Sequence, residues 1–140
     1  MAARRRWIRP VVGALAVLAL YPAFVLGYTW AHVLRSDLPG GRHGPLDAYR
    51  HTLASAVVAW SAGPRAVAWV TDLMERDARL SSRMDRHNNR IGAAIGAAAD
   101  RFADLEPAVH ASVRQGAVNA PGSQQTTWLP PEYWRARRLW

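Results

Sequence analysis

The chain has 140 residues, half of them hydrophobic, and no cysteine. It is long enough for one small domain plus an accessory segment, and disulfides, thiolate metal sites and cysteine nucleophiles are excluded. The net charge of +8 rests on arginine alone and is uneven: residues 1–42 hold six Arg and one Asp, residues 43–140 twelve Arg and nine acids, with three of those Arg in the last six positions. A near-neutral body without a basic stripe argues against nucleic acid as a partner.

Arg4, Arg5, Arg6 and Arg9 open the chain, and residues 10–34 then contain no Asp, Glu, Lys or Arg. A run of about 17–25 apolar residues spans a hydrocarbon core, and Trp7, Tyr28 and Trp30 flank its centre as interfacial aromatics do. The positive cluster ahead of the span keeps the N-terminus in the cytoplasm. Residues 1–35 therefore read as a basic stub and signal-anchor in a bacterial inner membrane, with the remainder extracytoplasmic. The competing reading is a cleaved signal peptide. Thr29-Trp30-Ala31 is a weak small-x-small site, and the apolar run is longer than a usual signal core.

Residues 36–44, SDLPGGRHG, carry Pro39 and three glycines and no periodicity, and read as a linker lifting the domain off the bilayer. The first domain helix starts at Pro45, a good first-turn residue, and runs over 45–61. Leu46, Tyr49, Leu53, Val57 and Trp60 form its apolar stripe. A second helix is expected over 64–77, with Val67, Val70, Leu73 and Met74 inward. A third spans 82–103, with Met84, Ile91, Ile95, Ala98 and Phe102 as its stripe. A fourth covers 106–115 with Val109 and Val113 inward. Residues 117–140, rich in Pro and Trp, read as an extended tail able to clamp onto the helices or the membrane, and no segment reads as a strand. The fold class is all-α: a single N-terminal transmembrane helix, a small bundle of about four helices over 45–116, and the tail.

The third helix breaks local rules. It places Asp85, His87, Asn88 and Asn89 within five residues, although Asn and Asp compete with the helix for backbone hydrogen bonds. Asp85, Asn88, Asn89 and Gly92 follow i, i+3, i+4, i+7 spacing, one continuous face. Gly92 and Gly96 each cost up to about 1 kcal/mol in a helix, which signals close approach of another backbone. If the first domain helix is the partner, His51 faces Asp85 and Asn88 across the seam. Asp47, one turn before His51, then orients the ring, leaving its other nitrogen to act as general base or acid. Asn88 and Asn89 can polarise a carbonyl or phosphoryl oxygen, with Arg50 and His87 contacting substrate. Alternatively, Asp47, Asp85 and the Asn carbonyls suit a calcium-like divalent ion.

The pair of motifs, DAYRH (47–51) and MDRHNNRIGAAIG (84–96), resembles a bacterial domain of unknown function, DUF6973, over about residues 45–96. The resemblance implies a helical extracytoplasmic domain with Asp47, Arg50, His51, Asp85, His87, Asn88, Asn89 and Gly92 as the matched positions, and no established activity. Two functions follow from the residues. One is a His/Asp hydrolase acting on lipid or cell-envelope substrates. The other is a non-enzymatic interaction module whose Asp/Asn/His network fixes helix register while the tail meets a protein partner. Packing roles compete throughout: Asp47–His51 as a surface pair, Asp85 serving the helix dipole, His87 and Arg86 as a solvated face, Ser55 as a packing serine.

Overall fold

The computed structural model describes the backbone of residues 2–74 and 79–139, and side chains at 13, 18–72 and 79–139. Five α-helices dominate: α1 (Ala2–Val33), α2 (Pro45–Ala62), α3 (Pro64–Met74), α4 (Leu80–Ala98) and α5 (Leu105–Arg114). Between α4 and α5 lies a 3₁₀ turn, Phe102–Asp104, and a second, Pro131–Tyr133, lies in the tail. Two-residue strands β1 (Ala117–Val118) and β2 (Thr127–Trp128) pair in parallel.

Helix α2 is the central element. Gly44 caps it, Pro45 begins its first turn, and Gly63, at φ 87°, ends it and hands over to Pro64 of α3. Tyr49, Leu53, Ala56 and Val57 are buried, and Leu105, Val109 and Val113 of α5 complete the core. Each Leu and Val of this set contributes about 1.5–3 kcal/mol on burial. The Tyr49 hydroxyl donates to Glu106 Oε1 at 2.7 Å, tying α2 to the start of α5.

On its other side α2 lies against α4 at very short range. A Cβ on Gly92 would strike the Thr52 carbonyl oxygen and come within 2.9 Å of Ser55 Cβ. One on Gly96 would strike the Ala56 carbonyl and come within 2.9 Å of Ala59 Cβ. The two glycines expected to mark a close backbone approach therefore do so. The buried face of α4 is Ser82, Met84, His87, Asn88, Asn89, Gly92 and Gly96, whereas Ile91 and Ile95 of the expected stripe are half-buried and Ala98 is exposed.

Several boundaries move. Helix α4 ends at Ala98 rather than running to 103, and Phe102 stands in the 3₁₀ turn, its ring edge-on to Tyr28 and Trp60. Of the expected stripe residues, Trp60 and Val70 are exposed. Leu73 and Met74 fall outside the described side chains, and the last residues expected in the second helix, 75–77, lie outside the described residues altogether. The tail holds the strands β1 and β2, which are too short to leave a period in the sequence.

The linker expectation is corrected. Val25, Thr29 and Val33 of α1 are buried, and Val25 and Val33 belong to the same core as Leu53 and Leu105. Residues 36–44 are no spacer: Leu38 packs on that core, Pro39 accepts the Leu46 amide, and Gly40 and Gly44 lie under the Trp134 ring. Among the described residues no helix is long and apolar enough to cross a membrane. The upstream half of the expected span, 10–12 and 14–17, lies outside the described side chains.

Candidate functional site

The first turn of α2 and the second turn of α4 meet beside the tail, and the polar residues converge there. Asp47 is the hub. Its Oδ1 accepts Arg50 Nε at 2.9 Å and Nη2 at 2.7 Å, and its Oδ2 accepts the His43 amide at 2.7 Å. Burial pushes the Asp47 carboxyl up, but the charges of His51 and Arg50 and these hydrogen bonds outweigh it and hold it below its ordinary value. Asp47 is thus a buried carboxylate with a cationic partner, and not a surface pair.

His51 lies one turn on, with Nε2 3.8 Å from Asp47 Oδ1 and 3.5 Å from Asp85 Oδ1 of α4. Arg50 Nη2 is 2.9 Å from the same nitrogen. A guanidinium can only donate, so Nε2 is the acceptor and the ring proton sits on Nδ1. Burial above all, with Arg50 second, lowers the His51 pKa to about 4. The imidazole is neutral at physiological pH, with a lone pair facing two carboxylates and one guanidinium.

A stability prediction arises directly. The folded His51 pKa of about 4 lies below the ordinary 6.5, so between those values the unfolded chain binds the extra proton. Stability is then complete above about pH 6.5 and is lost as pH falls toward 4, by about 3 kcal/mol. Asp47, also lowered, extends the loss to still lower pH. Urea unfolding at pH 7, 5.5 and 4 measures it, and His51→Gln is expected to flatten the upper part of the slope.

Asn89 bridges three helices. Its Oδ1 accepts Ser55 Oγ of α2 at 3.0 Å, and its Nδ2 donates to Thr71 Oγ1 of α3 at 3.1 Å. Ser55 is a buried donor in this network. Asn88 departs from expectation. Its Nδ2 donates to the Thr127 carbonyl at 2.8 Å and its Oδ1 accepts the Thr127 amide at 2.9 Å. The carboxamide pairs with β2 as a neighbouring strand would, so it does not meet His51 as a charge-stabilising group. His87 is likewise not on a solvated face. It is 4% exposed, and its Nε2 donates to the Gln125 carbonyl at 2.8 Å. Arg50 serves Asp47 and His51 before any substrate. His51, Asp47, Asp85 and Asn89 are therefore brought together, while Asn88 and His87 hold the tail.

Sequence reasoning missed His43. Its backbone is left-handed, φ 73°, a strained state for a residue other than glycine. Its Nδ1 is buried without a hydrogen-bond partner, 3.9 Å from Asp47 Oδ2, and burial keeps the ring neutral by lowering its pKa. The only sequence signal was its place four residues before Asp47. His43, Asp47, Met84, Asp85, Asn88 and Trp128 are among the residues lining a cleft of about 10 Å³, room for about one water-sized group. Compared with known proteins, the chain matches no family model, no curated protein and no solved structure.

Proposed function

We propose that this chain is a membrane-anchored, extracytoplasmic helical domain that hydrolyses a lipid or cell-envelope substrate at the Asp47–His51–Asp85 centre. The observation carrying this reading is a half-buried, neutral imidazole placed between carboxylates from two different helices, Asp47 and Asp85, which themselves line a water-sized cleft. His51 Nε2 is the proton acceptor for an attacking water. Asp47 and Asp85 stabilise the imidazolium that forms, and Asn89 ties α4 to α2 and α3 close by through Ser55 and Thr71. Arg50, about a third exposed, shifts from Nε2 toward an anionic group of the substrate as the base engages. The cleft admits water but not a headgroup, so the substrate lies across its mouth.

The anchor is supported by Arg4, Arg5, Arg6 and Arg9 ahead of the apolar run, and by Leu18, Leu20, Phe24 and Leu26 of α1, which the domain leaves exposed. The likeness of the two site helices to DUF6973 belongs to the same proposal.

The test is turnover on a panel of phospholipids and cell-wall precursors. His51→Ala is expected to lower kcat/KM by roughly 10²–10⁴-fold, the usual contribution of a positioned general base. With the His51 pKa near 4, kcat/KM rises as the ring loses its proton through that pH and is level by neutrality. No turnover across the panel, or turnover indifferent to His51, refutes the reading.

One observation favours a second reading, the non-enzymatic interaction module. Asn88 and His87 hold the tail main chain at Thr127 and Gln125. Trp134 donates to the Leu129 carbonyl and covers Gly40 and Gly44, so a partner would meet the exposed Tyr133 instead. Loss of stability in Asn88→Ala in a protein that shows no His51-dependent turnover favours this second reading; His51-dependent turnover favours the first.

A further inference from the structure

The donor set around Asp47 is richer than an acid–base pair requires. Asp47, His51 and Asp85 each offer one ligand atom, and these atoms all lie within 4.8 Å of one another. In a tetrahedral zinc site with bonds of about 2.0–2.2 Å, neighbouring donors stand roughly 3.4 Å apart. His51 Nε2 is 3.5 Å from Asp85 Oδ1 and 3.8 Å from Asp47 Oδ1, close to that spacing. The second observation is the cleft: Asp47 and Asp85 line a space of about 10 Å³, room for about one water-sized group beside the donors. His43 stands outside the set: its partnerless Nδ1 lies 3.9 Å from the other oxygen of Asp47 and is not among the mutually close donors.

The geometry points to a divalent transition-metal site of the zinc class, with Asp47, His51 and Asp85 as ligands, a fourth position left to water, and Arg50 as the competitor for the same donors. An imidazole with two carboxylates, three protein ligands in all, suits zinc and its neighbours better than calcium, which takes six to eight oxygen ligands. Arg50 Nη2 bridges Asp47 Oδ1 and His51 Nε2 at 2.7 and 2.9 Å. It is a protein cation standing between two of the donors that the metal would bridge. Metal and guanidinium therefore exclude one another, and Arg50, at the surface end of the site, swings out when the ion enters. The site rests on reading this cluster as the working centre of the domain, but its test measures metal directly.

The full chain in detergent, stripped with EDTA, is titrated calorimetrically with Zn²⁺, Mn²⁺ and Ca²⁺ in turn, and its Tm is followed with and without each ion. One saturable Zn²⁺ site per chain is expected, with a raised Tm and no comparable response to Ca²⁺. Cobalt in place of zinc gives visible absorption of a four-coordinate nitrogen/oxygen site. Asp85→Asn, at a half-buried position, weakens Zn²⁺ at least tenfold, and its melting without metal is compared with the parent's to separate lost ligation from lost folding. Arg50→Met tightens binding at least tenfold because the competing cation is gone. No saturable Zn²⁺ binding, equal affinity for Ca²⁺, indifference to Asp85→Asn, or no gain in Arg50→Met each overturns the site. Zinc uptake without turnover on any substrate leaves the site standing and removes hydrolysis. His51-dependent turnover in a protein that takes up no zinc does the opposite.

Discussion

Gly92→Ala is expected to cost about 3 kcal/mol of stability. At an exposed helical position the same change gains up to about 1 kcal/mol, because alanine is the better helix former, so the sign alone is informative. Here the added methyl meets main chain: the Thr52 carbonyl oxygen lies directly in its way, with Ser55 Cβ 2.9 Å and the Thr52 carbonyl carbon 3.0 Å off. None of these can rotate aside. Helices α2 and α4 must part, and the seam loses its packing along its length. Overpacking of this kind costs about 1–3 kcal/mol and occasionally more, and a backbone obstacle belongs at the upper end. For a domain of about 100 residues, that lowers Tm by roughly 10–20 °C. Gly122→Ala is the control: nothing lies within 4 Å of its Cβ position, and no loss is expected. A Gly92→Ala protein that melts with the parent rules out the close seam, and with it the approach of His51 to Asp85.

Asn88→Ala is expected to cost about 2–5 kcal/mol and to loosen the tail. The substitution leaves both the amide and the carbonyl of Thr127 without partners in a position where Thr127 is fully buried, and each unpaired buried group costs about 1–3 kcal/mol. His87, the Thr126 hydroxyl on the Ser112 carbonyl, the Leu129 amide on the His43 carbonyl and the short β1–β2 pairing remain as ties there. Limited proteolysis within 117–131 is therefore expected to speed up sharply, ahead of cleavage in the helices. A residue retained for chemistry at a local structural cost behaves in the opposite way, and its replacement is neutral or stabilising. An Asn88→Ala protein with unchanged melting and an intact tail removes the clamp and reopens a direct role at the site.

The polar face of α4 was readable because helical spacing is strict. Asp85, Asn88, Asn89 and Gly92 had to share one side, and two glycines four apart announced which side met another backbone. The approach of His51 to Asp85 followed from that. The part played by Asn88 did not, because its partner lies 39 residues away in a tail without periodicity, and two-residue strands leave no alternation to detect. Arg50 between Asp47 and His51 was equally hidden, since i, i+3 and i, i+4 spacing both permit contact and only coordinates decide which wins. The left-handed His43 leaves no trace in composition. Helix α1 misled for a different reason. A stretch apolar on all sides satisfies lipid and a protein core alike, so its pattern gave no sign that Val25 and Val33 join the core built on α2.

That docking of α1 has a bearing on how the protein matures. A peptidase severing the chain after Ala31 would carry away Val25 and Thr29 and uncover the flank of α2 they now shield. Helix α1 and the rest of the folded body share one hydrophobic nucleus, so trimming the first would injure the second.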